Sequence, residues 1–210
     1  MNVRKQRSYN MDDLFSYTLN QNPLKSFLDW FEEANKLEQN APAMSVSTYD
    51  QDLNRPNIRY LLYKGIKENK ILFYSNYLSP KAKDLNNNPE IALGFYWHLS
   101  KKQVRIHGRV TKMTKEDSES YFQSRDRDSQ IASYLSMQSE PIQDKNTLLL
   151  KFKTAEELFA GKPIPLPLHW GGYLVEPYEY EFFLYGENRL NDRFLYQLKN
   201  QNWEVSRLQP

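Results

Sequence analysis

The chain has 210 residues, 40% hydrophobic and 14% aromatic, enough for one substantial core and marginal for two. Its 28 basic and 26 acidic residues are interspersed and sum to +2, so no nucleic-acid footprint emerges. Without cysteine there is no disulfide framework, thiolate nucleophile or zinc–thiolate site, and no apolar run approaches the roughly 20 residues of a membrane-spanning helix.

Residues 1–22 are polar and aperiodic and read as an N-terminal arm; residues 23–210 read as a single domain. The basic start (Arg4, Lys5, Arg7) is too short for nucleic acid and leads into no signal-peptide core, so a cytoplasmic protein is expected. Asn22 and Pro23 open a helix, with Leu24, Phe27, Leu28 and Phe31 at amphipathic spacing. Strands are expected at 43–49, 58–64 and 71–75, separated by turns at 50–56 and 67–70. Ser79 and Pro80 start a short helix that stops near Asn86 to Pro89. A strongly apolar strand follows at 91–97. Residues 103–113 alternate, with Val104, Ile106, Gly108 and Val110 on one face and Gln103, Arg105, His107 and Arg109 on the other. Helices are expected at 115–124, from Ser129 onward to an end at Gln138 and Ser139, and at 147–159 before Gly161. Strands at 170–175, 179–185, 193–198 and 203–208 complete the chain. Many short strands with few helices favour an α+β, mainly β fold, an antiparallel barrel rather than a doubly wound sheet.

Several constellations carry chemistry. Arg189 and Arg193 lie four apart behind the apolar run from Glu181 to Tyr185, and arginine's planar fork suits phosphate or carboxylate. Arg59 and Lys64 are five apart and would face opposite sides of a regular strand. The helix start at Ser79, with Lys81 in its first turn, is an anion site in waiting, because proline at the first helical position leaves the next two N–H donors free. Tyr121, Arg125 and Ser129 are spaced to share one face of a continuous helix; if the helix breaks, Ser129 falls near a new start capped by Asp126 or Asp128. Their donors suit a phosphate monoester dianion. The amides of Gln103 and Gln138 both donate and accept. His98, His107 and His169 lack ligand-spaced partners, so no metal site is expected. Taken singly, each motif also fits a solvated strand face, a capped helix or a salt-bridged surface.

Together these residues resemble the pattern of the pyridoxamine 5′-phosphate oxidases, over about residues 23–210. The resemblance implies an FMN-binding split barrel working as a homodimer with flavin at the interface. It implies FMN contacts at Arg59, Tyr60, Leu61, Leu62, Tyr63, Lys64, Tyr74, Ser75, Lys81, Gln103, Gln138, Ser139, Trp170 and Arg193. It assigns the substrate phosphate to Lys64, Tyr121, Arg125 and Ser129, and the reacting carbon of the substrate ring to Arg189 and Asn191, the catalytic pair. Arg7 and Tyr9 would belong to a closing lid. The implied reaction oxidises pyridoxamine 5′-phosphate or pyridoxine 5′-phosphate to pyridoxal 5′-phosphate, with hydride passing from C4′ to flavin N5 and dioxygen yielding hydrogen peroxide. The chain departs from the family pattern in having Pro80 for arginine, Asn191 for histidine and Phe183 for tryptophan. The alternatives are a split-barrel flavin reductase, or a protein that binds FMN or pyridoxal phosphate without turnover.

Overall fold

A computed structural model describes residues 19–210. Helix α1 (Pro23–Leu37) begins as its sequence dictates: Asn22 Oδ1 accepts from the Leu24 amide at 3.0 Å and Pro23 occupies the first turn. Its buried stripe is Phe27, Trp30 and Ala34, while Leu28, expected on that face, is 39% exposed.

Among the described residues nine strands form one sheet: β1 (Ala43–Asp50), β2 (Arg55–Leu62), β3 (Ile66–Lys67), β4 (Lys70–Asn76), β5 (Glu90–Trp97), β6 (Lys102–Lys112), β7 (Trp170–Leu184), β8 (Asp192–Lys199) and β9 (Asn202–Leu208). Every pairing is antiparallel, in the order β2-β1-β5-β6-β7-β4-β3, with β8 on β7 and β9 on β8. The clean alternation of β6 holds: Val104, Ile106 and Val110 are buried, and Arg105, His107 and Arg109 face outward. The fold is an antiparallel split barrel with flanking helices.

Strand β7 organises the rest. It pairs with β6 along most of its length, with β4 through Trp170 to Val175, and with β8 through Glu179 to Leu184. The sequence predicts two strands here, at 170–175 and 179–185. A bulge instead carries the strand through, since His107 pairs with Glu179 and Gly108 with Pro177, leaving Tyr178 as the extra residue. Gly108 is needed there: a Cβ would meet Glu176 O at 2.6 Å.

Among the described residues five helices flank the sheet: α1, α2 (Pro80–Asn87), α3 (Lys115–Ser124), α4 (Arg127–Leu135) and α5 (Lys145–Leu158). The barrel core gathers Phe27, Trp30, Met44, Phe73, Phe95, Trp97, Ile106 and Phe182. A second cluster (Phe122, Ile131, Ala155, Phe159, Ile164 and Trp170) packs α3, α4 and α5 onto the start of β7. None of the helices among the described residues is long and apolar enough to cross a membrane. Arg7 and Tyr9 lie outside the described residues.

Candidate active site

The α3–α4 junction shapes the first part of the site. The helix does break, at Arg125, whose extended backbone (φ −76°, ψ 155°) ends α3. Asp126 Oδ1 then caps α4 by accepting from the Ser129 amide at 2.8 Å. Gln130, buried beneath the break, donates its amide to the carbonyls of Phe122, Gln123 and Arg125 at 3.1–3.2 Å. No sequence signal singled out Gln130; an interior glutamine looks like any polar helix residue until the carbonyls it satisfies are known.

A cavity of about 600 Å³ opens beside this junction, and Lys64, Tyr121, Arg125 and Ser129 all line it. Tyr60, Leu61, Leu62, Tyr74 and Trp170 supply further walls. Tyr74, Tyr121 and Trp170 form a cluster of near-parallel rings, with Tyr74 3.8 Å from Tyr121 and 5.2 Å from Trp170 by ring centroid and all planes within 12°. The Arg125 guanidinium lies 4.8 Å over the Trp170 ring and donates to Ser133 Oγ at 2.7 Å. Burial pushes the Tyr74 hydroxyl up to about 12, so it stays protonated and available as a donor.

Next to the cavity is a cationic cluster. Arg59 Nη1 donates to Thr48 Oγ1 at 2.6 Å, and Nη2 lies 3.8 Å from Asp84. Lys81 is 5% exposed, its ammonium donating to Ser75 Oγ at 3.0 Å, Ser79 Oγ at 2.9 Å and Gln138 Oε1 at 2.5 Å. Burial, and then the charge of Arg59, press Lys81 down to about 8. Asp84 also accepts from Thr48 and Asn57, so one carboxylate balances two cations. The start of α2 differs from expectation. Ser79 makes no side-chain cap, donating instead to Asn76 O, and one of the two donors expected free, the Ala82 amide, bonds Ser79 O at 2.9 Å.

Two stretches of backbone differ from the local expectation. Tyr63 does not face the cavity; it is 6% exposed in the barrel core, edge-on to Phe27 and Phe31, because the chain leaves β2 at Leu62 and turns inward. Gln138 and Ser139 do not end a helix: α4 stops at Leu135, and Ser139 sits in a turn at φ 72°. Asn76 Nδ2 holds that loop by donating to Ser136 O at 3.0 Å, which brings Gln138 to Lys81.

The remaining predicted residues lie elsewhere. Gln103 donates to the Tyr185 hydroxyl, and it pairs across the sheet with Phe183. Phe183 is 4.9 Å from Tyr185 and 5.9 Å from the Arg193 guanidinium. The β7–β8 loop carries Arg189 in the left-handed region (φ 62°) after Asn188 (φ 55°), a conformation that costs a non-glycine residue about 1–2 kcal/mol. Asn191 Oδ1 accepts from the Gly186 amide at 3.1 Å and so closes that loop on itself. A Cβ on Gly186 would fall 1.9 Å from Leu190 O, so only glycine fits. Phe183 and Tyr185 were not picked out as site residues from sequence; their neighbours across the strands reveal them. Trp170 and Phe183 stand at opposite ends of β7, thirteen residues apart, or roughly 40 Å along a straight strand at about 3.3 Å per residue. Among the described residues there is no cluster suited to hold a metal.

Residues 31–159 match the family model described as pyridoxamine 5′-phosphate oxidase, and residues 170–210 match that of the pyridoxine 5′-phosphate oxidase C-terminal dimerisation region. The chain is 43% identical to the pyridoxine/pyridoxamine 5′-phosphate oxidase of Leptospira biflexa, covering 90% of this chain and 89% of that protein. Those of Acaryochloris marina (39%; 97% and 93% covered) and Coxiella burnetii (41%; 94% and 100% covered) are similar. Among solved structures, PhzG from Burkholderia lata superposes with a TM-score of 0.86 at 22% identity, covering 98% of each chain. An FMN-binding protein from Nostoc punctiforme, related to pyridoxamine 5′-phosphate oxidase, gives 0.73 at 18%, covering 91% of this chain and all of that one. At such identities these two report the fold alone. The chain belongs to the pyridoxamine 5′-phosphate oxidase family.

Proposed function

We propose that this protein is an FMN-dependent oxidase that converts pyridoxamine 5′-phosphate, and pyridoxine 5′-phosphate, to pyridoxal 5′-phosphate with dioxygen as acceptor. One observation carries the reading: Lys64, distant in sequence, joins Tyr121, Arg125 and Ser129 in lining a single cavity beside a second cationic cluster. Two adjacent cationic sites suit two phosphates, one on the cofactor and one on the substrate.

The residues present fit FMN. Arg59 and Lys81 are two partly or wholly buried cations sharing one carboxylate, and an incoming phosphate would supply the missing negative charge. Ser75 and Gln138 would hold Lys81 toward it. Gln103, Phe183 and Arg193 offer an amide, an aromatic face and a guanidinium to the ring system. When bound, FMN supplies a two-electron acceptor for the substrate carbon that dioxygen can regenerate.

The protein's own residues supply binding and placement. Arg125 and Lys64 charge-pair with the substrate phosphate, while Tyr121 and Ser129 donate to it. The Tyr74–Trp170 wall excludes water, and Arg189 provides a cation over the reacting carbon. Asn191 holds the loop that carries Arg189. Because Arg189, Gln103 and Arg193 stand at the other end of β7 from the phosphate cavity, a complete site needs a second copy, whose far end faces the first copy's cavity. The match of residues 170–210 to a dimerisation region supports this homodimer.

Purified protein should be yellow and should bleach when pyridoxamine 5′-phosphate is added without oxygen. Colour without bleaching at saturating substrate would leave a flavin-binding protein without turnover. The engagement of Asn191 with Gly186 is the observation that favours this second reading, since that amide oxygen is already spent on the loop.

A further inference from the structure

Glu181 lies on β7 with Arg105 directly across on β6 and Arg193 diagonally across on β8. It is 9% exposed, which is rare for a carboxylate without charged partners. A single oxygen, Oε1, accepts from Arg193 Nε at 2.9 Å, from Arg193 Nη2 at 2.8 Å, and from Arg105 Nη2. The last Arg193 nitrogen, Nη1, donates to Gln209 O at 2.8 Å. All three Arg193 nitrogens are therefore held, by Glu181 and by the Gln209 carbonyl, and the bridge holds two guanidiniums against one carboxylate. The Arg193 side chain is 23% exposed and that of Arg105 is 51% exposed, so solvent screens the outer arginine more than the inner one.

We infer that Glu181 and Arg105 act through Arg193 to set the charge presented to the flavin ring, making this bridge a determinant of the cofactor's midpoint potential. Two-electron reduction adds negative charge to a flavin ring, and a net cation nearby favours the reduced form. Glu181 lowers that bias by neutralising one guanidinium; Arg105 restores part of it by competing for the same carboxylate oxygen. Both are positioning residues, with no required contact to substrate. The inference rests on Arg193 being a flavin contact.

The test is the midpoint potential and FMN dissociation constant of the full-length holoprotein and three variants. Glu181→Gln should raise the potential, because a neutral amide cannot balance two arginines. Arg105→Met should lower it while leaving FMN affinity within about threefold, since the Glu181–Arg193 contact stays. Opposite signs are the signature of charge balance; a purely structural bridge would weaken FMN binding in both variants and move neither potential. Shifts of the same sign, or none, overturn the inference. Should Glu181→Gln fail to fold, the half-exposed Arg105→Met still decides the matter, because an unchanged potential there is also fatal. Arg193→Gln separates the two levels. If it alters neither affinity nor potential, the flavin-contact reading fails; if it alters them while the other two variants leave the potential untouched, only the bridge inference fails.

Discussion

Lys81 is buried with its ammonium on three neutral oxygens, and burial together with Arg59 lowers its pKa from 10.5 to about 8. A depressed lysine means the fold disfavours the charged form. Above about pH 8 the folded chain gives up this proton while the unfolded chain keeps it up to about 10.4, so this residue's contribution to apo stability rises across that window and its penalty is full below it. A bound phosphate has the opposite preference. FMN affinity should therefore fall as pH rises through about 8, approaching tenfold per unit, and Lys81→Met should bind weakly with a flattened profile; flavin fluorescence titration between about pH 7 and 9 reads both. Arg125 is a different case, held over Trp170 and bonded to Ser133. Arg125→Ala should weaken binding of phosphorylated substrate by about 1.5–3 kcal/mol, the worth of a lost charged hydrogen bond, and leave FMN content unchanged. Lost flavin with intact substrate affinity would reassign this arginine to the cofactor.

Among the elements, the α3–α4 break and the β7–β8 loop decide where the site residues point. Gln130, 8% exposed, donates to three carbonyls at the end of α3, of which only that of Phe122 also accepts from the Arg125 amide. Gln130→Ala should cost about 2–4 kcal/mol of stability, because the Gln123 and Arg125 carbonyls both lose this donor at once. Chemical denaturation would show this as a lower midpoint. Holo-protein should regain part of the loss, since ligands bind only the folded cavity. A change below about 0.5 kcal/mol would mean that water replaces the amide. The loop is a local structure of another kind: Gly186 provides space, Asn191 provides closure, and Arg189 is held in a left-handed conformation it would not choose alone.

For the whole molecule, the consequence is assembly. Strand β2 presents Ile58, Tyr60 and Leu62 outward, at 68%, 77% and 46% exposure, next to the cavity that Tyr60 and Leu62 also line. Such an apolar face beside a half-built site calls for a partner surface. Light scattering of the flavin-loaded protein should give the mass of two chains and one FMN per chain. A monomer retaining stoichiometric FMN would show that one chain can bring both ends of β7 to the same flavin, and the shared-site reading would fall.

Much of this was legible in the residues themselves. Period-two alternation marked β6, helical spacing and the Asn22–Pro23 start marked α1, and the Tyr121, Arg125, Ser129 set met at one cavity because short-range spacing survives a helix break. Local signals reach only as far as local forces do. Whether Tyr63 faced cofactor or core depended on how the chain turned after β2 and on which aromatic rings waited there. The two strands expected at 170–175 and 179–185 are one, because the sheet absorbs Pro177 and Tyr178 in a bulge where β6 offers Gly108 opposite. The role of Gln130, the shared carboxylate Glu181 and the separation of the site's two halves along β7 depend on contacts between residues tens of positions apart. Those contacts form only when burial and sheet pairing have brought the elements together, so the composition of each motif came from sequence, and its orientation from packing.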